Sequence, residues 1–135
     1  MPSSAPIGIF DSGIGGLTVA KAVKELLPKE QIIYFGDTLH LPYGEKSANS
    51  IRRYAIEIST FLKSKNCKSI LIACNSASSV ANDVTRNNLA NDIILLNVID
   101  PLTRYVQTSF NNELVGVIGT KATINRQWQT YQGTL

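Results

Sequence analysis

The stretch that decides the fold is Pro6-Ile7-Gly8-Ile9-Phe10-Asp11-Ser12-Gly13-Ile14-Gly15-Gly16-Leu17-Thr18-Val19. An apolar run too short for a helix meets an acid and then a glycine-rich turn. Beyond the turn, residues 17–27 carry helical apolar spacing up to Pro28. Strand, tight turn and helix form the first half of a βαβ unit, and the rest of the chain repeats that alternation. Residues 31–36 read as a second strand. Ser47 can cap a long helix whose apolar face is Ile51, Tyr54, Ala55, Ile58, Phe61 and Leu62, at the i, i+3, i+4, i+7 spacing of a helix packed on a sheet. Residues 69–73 are a third strand, followed by a Ser/Ala/Asn-rich helix over residues 76–89. A fourth strand spans residues 93–99, and Pro101 suits the first turn of the next helix. Residues 114–118 complete the pattern as a fifth strand before a final segment, residues 122–132. The expected fold class is α/β: a parallel sheet between two helical layers.

The chain has 135 residues, 13 Lys+Arg against 10 Asp+Glu, and 44% hydrophobic residues. That length supports one sizeable core rather than two full domains. Charges are scattered, with no run of five or six of one sign, so no nucleic-acid-binding arm is indicated. The amino terminus has neither a basic region nor a long apolar run, and no later stretch approaches a membrane span. The reading is a cytoplasmic protein without nucleic-acid or membrane partners.

Cys67 and Cys74 are the two cysteines. They bracket one apolar run, and at about 3.3 Å per residue they stand roughly 23 Å apart on a strand, well beyond the ~7 Å limit for a disulfide. With His40 as the single histidine, they cannot make a zinc site, so no metal is expected.

In an open parallel sheet, ligands bind outside the carboxyl ends of the strands. The polar residues gather there: Asp11-Ser12-Gly13, Asp37 with the loop through Pro42-Tyr43-Gly44, Cys74-Asn75-Ser76, Asp100-Pro101, and Gly119-Thr120 with Thr123. Cys74, between a strand end and a helix start, sits where a thiol pKa can fall below about 8.5. Such a thiol can act as nucleophile or proton-transfer base. Taken alone, it reads first as a small buried hydrophobe closing a strand. Asn75 and Ser76 shift the balance, because both offer hydrogen bonds to a carboxylate or amino group, although Ser76 could simply cap the helix.

Asp11 could cap the glycine-rich turn or orient an ammonium or a thiol, while the turn's N–H groups could hold an anion. The loop at Tyr43 reads as an exposed turn able to present N–H groups to a small ligand. His40 reads as a solvated loop residue. Gly13-x-Gly15 followed by Asp37 imitates a dinucleotide fingerprint, but Thr18 stands at the third glycine position and Asp11 would repel a pyrophosphate.

Residues 7–19, Gly36-Asp37-Thr38 with Pro42-Tyr43-Gly44, Ala73-Cys74-Asn75-Ser76-Ala77-Ser78, Val98-Ile99-Asp100-Pro101 and residues 116–124 together closely resemble the glutamate racemase family. The resemblance implies cofactor-independent interconversion of L- and D-glutamate, an isomerase activity that supplies D-glutamate for bacterial peptidoglycan. It makes Cys74 one of two catalytic acid/base thiols, with Asp11 close by. Asp11, Ser12, Pro42, Tyr43, Gly44, Asn75, Ser76, Thr120 and Thr123 become substrate-binding positions, although Ala122 stands where glycine is common in the family. It implies glutamate as the small-molecule substrate and admits a homodimer. It also implies two α/β lobes, of which residues 1–100 would form the first and residues 101–135 the opening βα unit of an incomplete second. The family's second thiol lies in a Gly-Cys-Thr-His block that this sequence does not contain, so the 135-residue chain alone is expected to be inactive. A racemase for aspartate or a related acid, and a non-catalytic carboxylate-binding module, are the alternative readings.

Overall fold

The computed structural model describes residues 4–110 and 113–124. Four short apolar runs become strands, each followed by a helix: β1 (Ile7–Asp11), α1 (Leu17–Leu26), β2 (Ile32–Gly36), α2 (Ala48–Ser64), β3 (Ser69–Ile72), α3 (Asn75–Asn88), β4 (Ile94–Asn97) and α4 (Ile99–Ser109). All strand pairs are parallel, and the sheet order is β2-β1-β3-β4. β1 is buried along its whole length, as a strand covered on both faces must be.

The two faces are packed by different helices. Phe10, Ile70 and Ile72 meet Ile51, Tyr54, Ala55, Ile58 and Leu62 of α2 and Ala77 and Ala81 of α3. On the opposite face Ile7, Ile9 and Ala73 meet Val19, Ala20 and Val23 of α1. Fully burying one large aliphatic side chain stabilises by about 1.5–3 kcal/mol, and Ile9, Ile51, Leu62, Ile70 and Ile72 all have 0% exposure. The result is the expected three-layer α/β/α arrangement.

Ser47 caps α2 as its sequence context predicts. Its backbone is extended, and its hydroxyl accepts from the Ser50 N–H at 3.1 Å, satisfying one of the free donors of the first turn. Arg52 of α2 reaches α3, donating to the Val80 carbonyl at 2.8 Å and to both carboxylate oxygens of Asp83 at 3.1 and 2.8 Å. This tie holds the helix that begins at Cys74 against its neighbour.

Three expectations need correction. Phe61 is 41% exposed rather than on the buried face of α2; Ser59 is buried there instead, and the Phe61 ring lies beside Phe35 at 5.5 Å. The fourth strand ends at Asn97, because the Asn97 Oδ1 accepts from the N–H groups of Ile99 and Asp100 at 2.9 and 2.8 Å and turns the chain into α4. Residues 114–118 are not a strand among the described residues. Leu114 and Ile118 are fully exposed, and a strand forms only where another backbone supplies its ladder. Residues 121–124 are helical, while the remainder of the expected final segment, residues 125–132, lies outside the described residues. Among the described residues no helix is long and apolar enough to cross a membrane.

Candidate active site

Strand order places the site. From β1 the chain steps outward to β2 on one side and then returns to β3 on the other, so the carboxyl ends of β1 and β3 flank a crevice where the connections part in opposite directions. Phe10 is in register with Ile72, and the Ala73 N–H donates to the Phe10 carbonyl at 2.8 Å. Asp11-Ser12 and Cys74-Asn75-Ser76 therefore emerge side by side.

Asp11 is 7% exposed, and its Oδ2 accepts from the N–H groups of Gly13 at 3.2 Å and Gly16 at 3.0 Å. These two turn amides, which the sequence offered to an anion, are thus taken by the chain's own carboxylate. Gly16 has to be glycine for packing reasons: a Cβ there would stand 2.7 Å from the Asp11 Cβ and 3.0 Å from the Ala73 Cβ. The Tyr34 hydroxyl donates to the Gly13 carbonyl at 3.0 Å and fixes the other side of the turn.

Cys74 is the N-cap of α3, its Sγ accepting from the Ala77 N–H at 3.5 Å. Its environment reverses the expected direction of its pKa. Burial pushes the thiol up; the Ala77 N–H and the hydroxyl and amide of Ser12 pull it down, Asp11 pushes it up again, and the balance lies above the ordinary value. At 5% exposure the cost of a buried thiolate outweighs the help of one helix start. Cys67 is also buried, and burial raises its thiol as well.

The loop after β2 departs furthest from its sequence reading. Tyr43 is 1% exposed rather than on an exposed turn, because its hydroxyl donates to the buried Asp37 Oδ2 at 2.6 Å and its ring lies 5.6 Å from that of Tyr54. Burial, the hydrogen bond to Asp37 and the negative charges of Asp37 and Cys74 all push the phenol up. His40 is tied down too: Nδ1 stands 2.9 Å from both Asp37 oxygens, and its ring stacks on Tyr54 at 4.0 Å. Asp37, committed to these partners, is not free to hold a ribose, which removes the dinucleotide reading. The signal for this cluster was in the sequence as Asp37, His40 and Tyr43 after a strand end, but their convergence needed the fold.

The loop then meets the last described segment. Tyr43 begins a 3-10 turn, Tyr43–Glu45, in which the Glu45 N–H donates to the carbonyl of the exposed Pro42 at 3.4 Å. Gly44 lies so close to Thr120 that a Cβ would approach the Thr120 Cγ2 to 2.6 Å. The Thr120 Oγ1 is 2.9 Å from the Ser76 Oγ and 3.1 Å from the Thr123 Oγ1. Ser76 and Thr123 are buried, and Asn75 is exposed on the first turn of α3. The structure thus gathers Ser12 with Cys74, and Gly44, Ser76, Thr120 and Thr123 around one another. Tyr34, Asp37 and His40 are the partners that sequence reasoning did not assign. Among the described residues no group of three or more His, Cys, Asp or Glu side chains could hold a metal ion.

No protein-family model matches the chain. It is 47% identical over 124 residues to the glutamate racemase of Chlorobaculum parvum, an alignment covering 92% of this chain and 45% of that protein. It superposes on the glutamate racemase of Thermus thermophilus in complex with β-chloro-D-alanine with a TM-score of 0.85 at 43% identity, covering 95% of this chain and 48% of the other. The match to the glutamate racemase of Francisella tularensis in complex with D-glutamate has a TM-score of 0.83 at 43% identity, over 96% of this chain and 47% of the other. The chain spans about half the length of the curated relatives it matches.

Proposed function

We propose that this chain, a homologue of glutamate racemases over about half of their length, supplies the Cys74 side of a cleft in which the α-proton of glutamate is exchanged. The observation that carries the reading is the placement of a capping thiol at the strand-order reversal, beside Ser12 and Asp11. Racemisation without a cofactor needs two groups flanking the α-carbon: one thiolate takes the proton from one face while a thiol on the opposite face returns one. Cys67 cannot be the second group, since it precedes β3 and Cys74 follows it, so that thiol has to come from outside these 135 residues.

The raised pKa gives Cys74 its resting role. It rests as a thiol, ready to donate, and becomes a base when a bound ammonium group supplies positive charge nearby. Ser12, Ser76, Thr120 and the amides of the Tyr43–Gly44 corner supply the hydrogen bonds a carboxylate requires as charge develops at the α-carbon. The resemblance to the family supports a cytoplasmic location and a part in supplying D-glutamate for peptidoglycan, and it admits a homodimer.

Alkylation of Cys74, followed by peptide-resolved mass spectrometry in the presence of D- or L-glutamate, tests the reading. Glutamate should slow modification of Cys74 and leave Cys67 unaffected. Succinate or aspartate protecting equally well would favour the broader carboxylate-binding alternative. The chain alone should show no racemisation, and turnover lost on Cys74→Ala would refute that part.

A further inference from the structure

Asp37, His40 and Tyr43 form one hydrogen-bonded unit, with Asp37 and Tyr43 buried and His40 half-buried, and of the three only Tyr43 has an expected role, in substrate binding. The Asp37 carboxylate is 6% exposed, yet it accepts from the Tyr43 hydroxyl at 2.6 Å and meets the His40 Nδ1 at 2.9 Å. Among the described residues, no lysine or arginine forms a salt bridge to Asp37; its side-chain neighbours are the Tyr43 hydroxyl and the His40 ring nitrogen. A buried carboxylate costs several kcal/mol unless its lone pairs are satisfied (about the penalty of an isolated ion after relaxation), so this unit holds together as a whole or not at all. Its position relative to the cleft is fixed on both sides. His40 is stacked on Tyr54 of α2 at 4.0 Å, while the residue after Tyr43 is the glycine pressed against Thr120. Tyr43 also shares one packed cluster with Cys74.

We propose that Asp37 and His40 are positioning residues for the Cys74 cleft: through the Tyr43 hydroxyl they fasten the Tyr43–Gly44 corner to α2, and so set how tightly that corner packs beside the thiol. The proposal rests on the function reading only in taking this cleft as the place where substrate lies. Neither residue touches the reacting atoms. Asp37 anchors Tyr43, and His40, held flat by Tyr54, anchors Asp37.

The test measures alkylation rates of Cys74 and Cys67 in the 135-residue chain by peptide-resolved mass spectrometry. Tyr43→Phe keeps the ring and removes only the hydroxyl, Asp37→Ala removes the anchor, and Asp37→Asn keeps an acceptor for Tyr43. Tyr43→Phe and Asp37→Ala should raise the Cys74 rate about tenfold, the worth of one hydrogen bond, with Asp37→Asn nearer the parent. Cys67, which is 0% exposed, reports any general loosening and should not change. Unchanged Cys74 rates in both variants, or parallel increases at Cys67 and Cys74, would overturn the proposal. Protection of the parent's Cys74 by glutamate is read separately: its failure counts against the substrate reading, while the rate ratios still decide the clamp.

Discussion

The hydroxyls of Ser76 and Thr120 lie 2.9 Å apart and join the first turn of α3 to a segment 44 positions further along the chain. Because Thr120 also packs on Gly44, this pair links three of the segments that the sequence placed at the carboxyl edge of the sheet. The contact is one hydrogen bond between neutral groups, worth about 0.5–1.5 kcal/mol. Ser76→Ala removes this bond and leaves the contacts between Thr120 and Thr123 in place. The melting temperature should change little, whereas the glutamate concentration that halves Cys74 alkylation should rise about 2- to 10-fold, the equivalent of that bond.

The thiol of Cys74 should titrate above the ordinary value of a free thiol, measured as the midpoint of its alkylation rate against pH. Asp11→Asn removes a negative charge that raises it, so the midpoint should move down. A midpoint below that of a free thiol in the parent would contradict the account.

That direction has a consequence for stability. Burial raises the folded pKa of Cys74 above its unfolded value, so the folded state keeps its proton to higher pH than the unfolded state does. The associated stability is fully present below the unfolded thiol pKa and is lost as pH rises through the folded one. Denaturation midpoints should therefore fall above about pH 8.5, the free thiol value, and Cys74→Ala should flatten part of that decline.

Gly16→Ala should destabilise the fold by about 1–3 kcal/mol, the usual cost of overpacking. The added methyl meets the Cβ atoms of Asp11 and Ala73 at 2.7 and 3.0 Å, and neither atom can swing away. Urea unfolding followed by circular dichroism measures the loss.

Much of this architecture was legible in the sequence because its signals are local. The first three apolar runs, the glycine-rich turn after Asp11 and the Ser47 cap each act within a few residues, and these formed where expected. What was not legible depends on distant partners. Residues 114–118 have strand composition but no described strand beside them. Tyr43 looks like a turn residue until Asp37 and Tyr54 are folded around it. The pKa of Cys74 depends on how much of the chain covers it, which no helix-start motif encodes.

The most direct test joins this chain to the half that its relatives possess and it does not match. Residues 1–124 fused to the carboxy-terminal half of the Thermus thermophilus glutamate racemase, once shown to be folded by circular dichroism, should be assayed for conversion of L- to D-glutamate and back. The fusion should turn over glutamate in both directions, the 135-residue chain alone should not, and Cys74→Ala should abolish the fusion's activity. A folded fusion without turnover, or one whose turnover survives Cys74→Ala, would contradict this account.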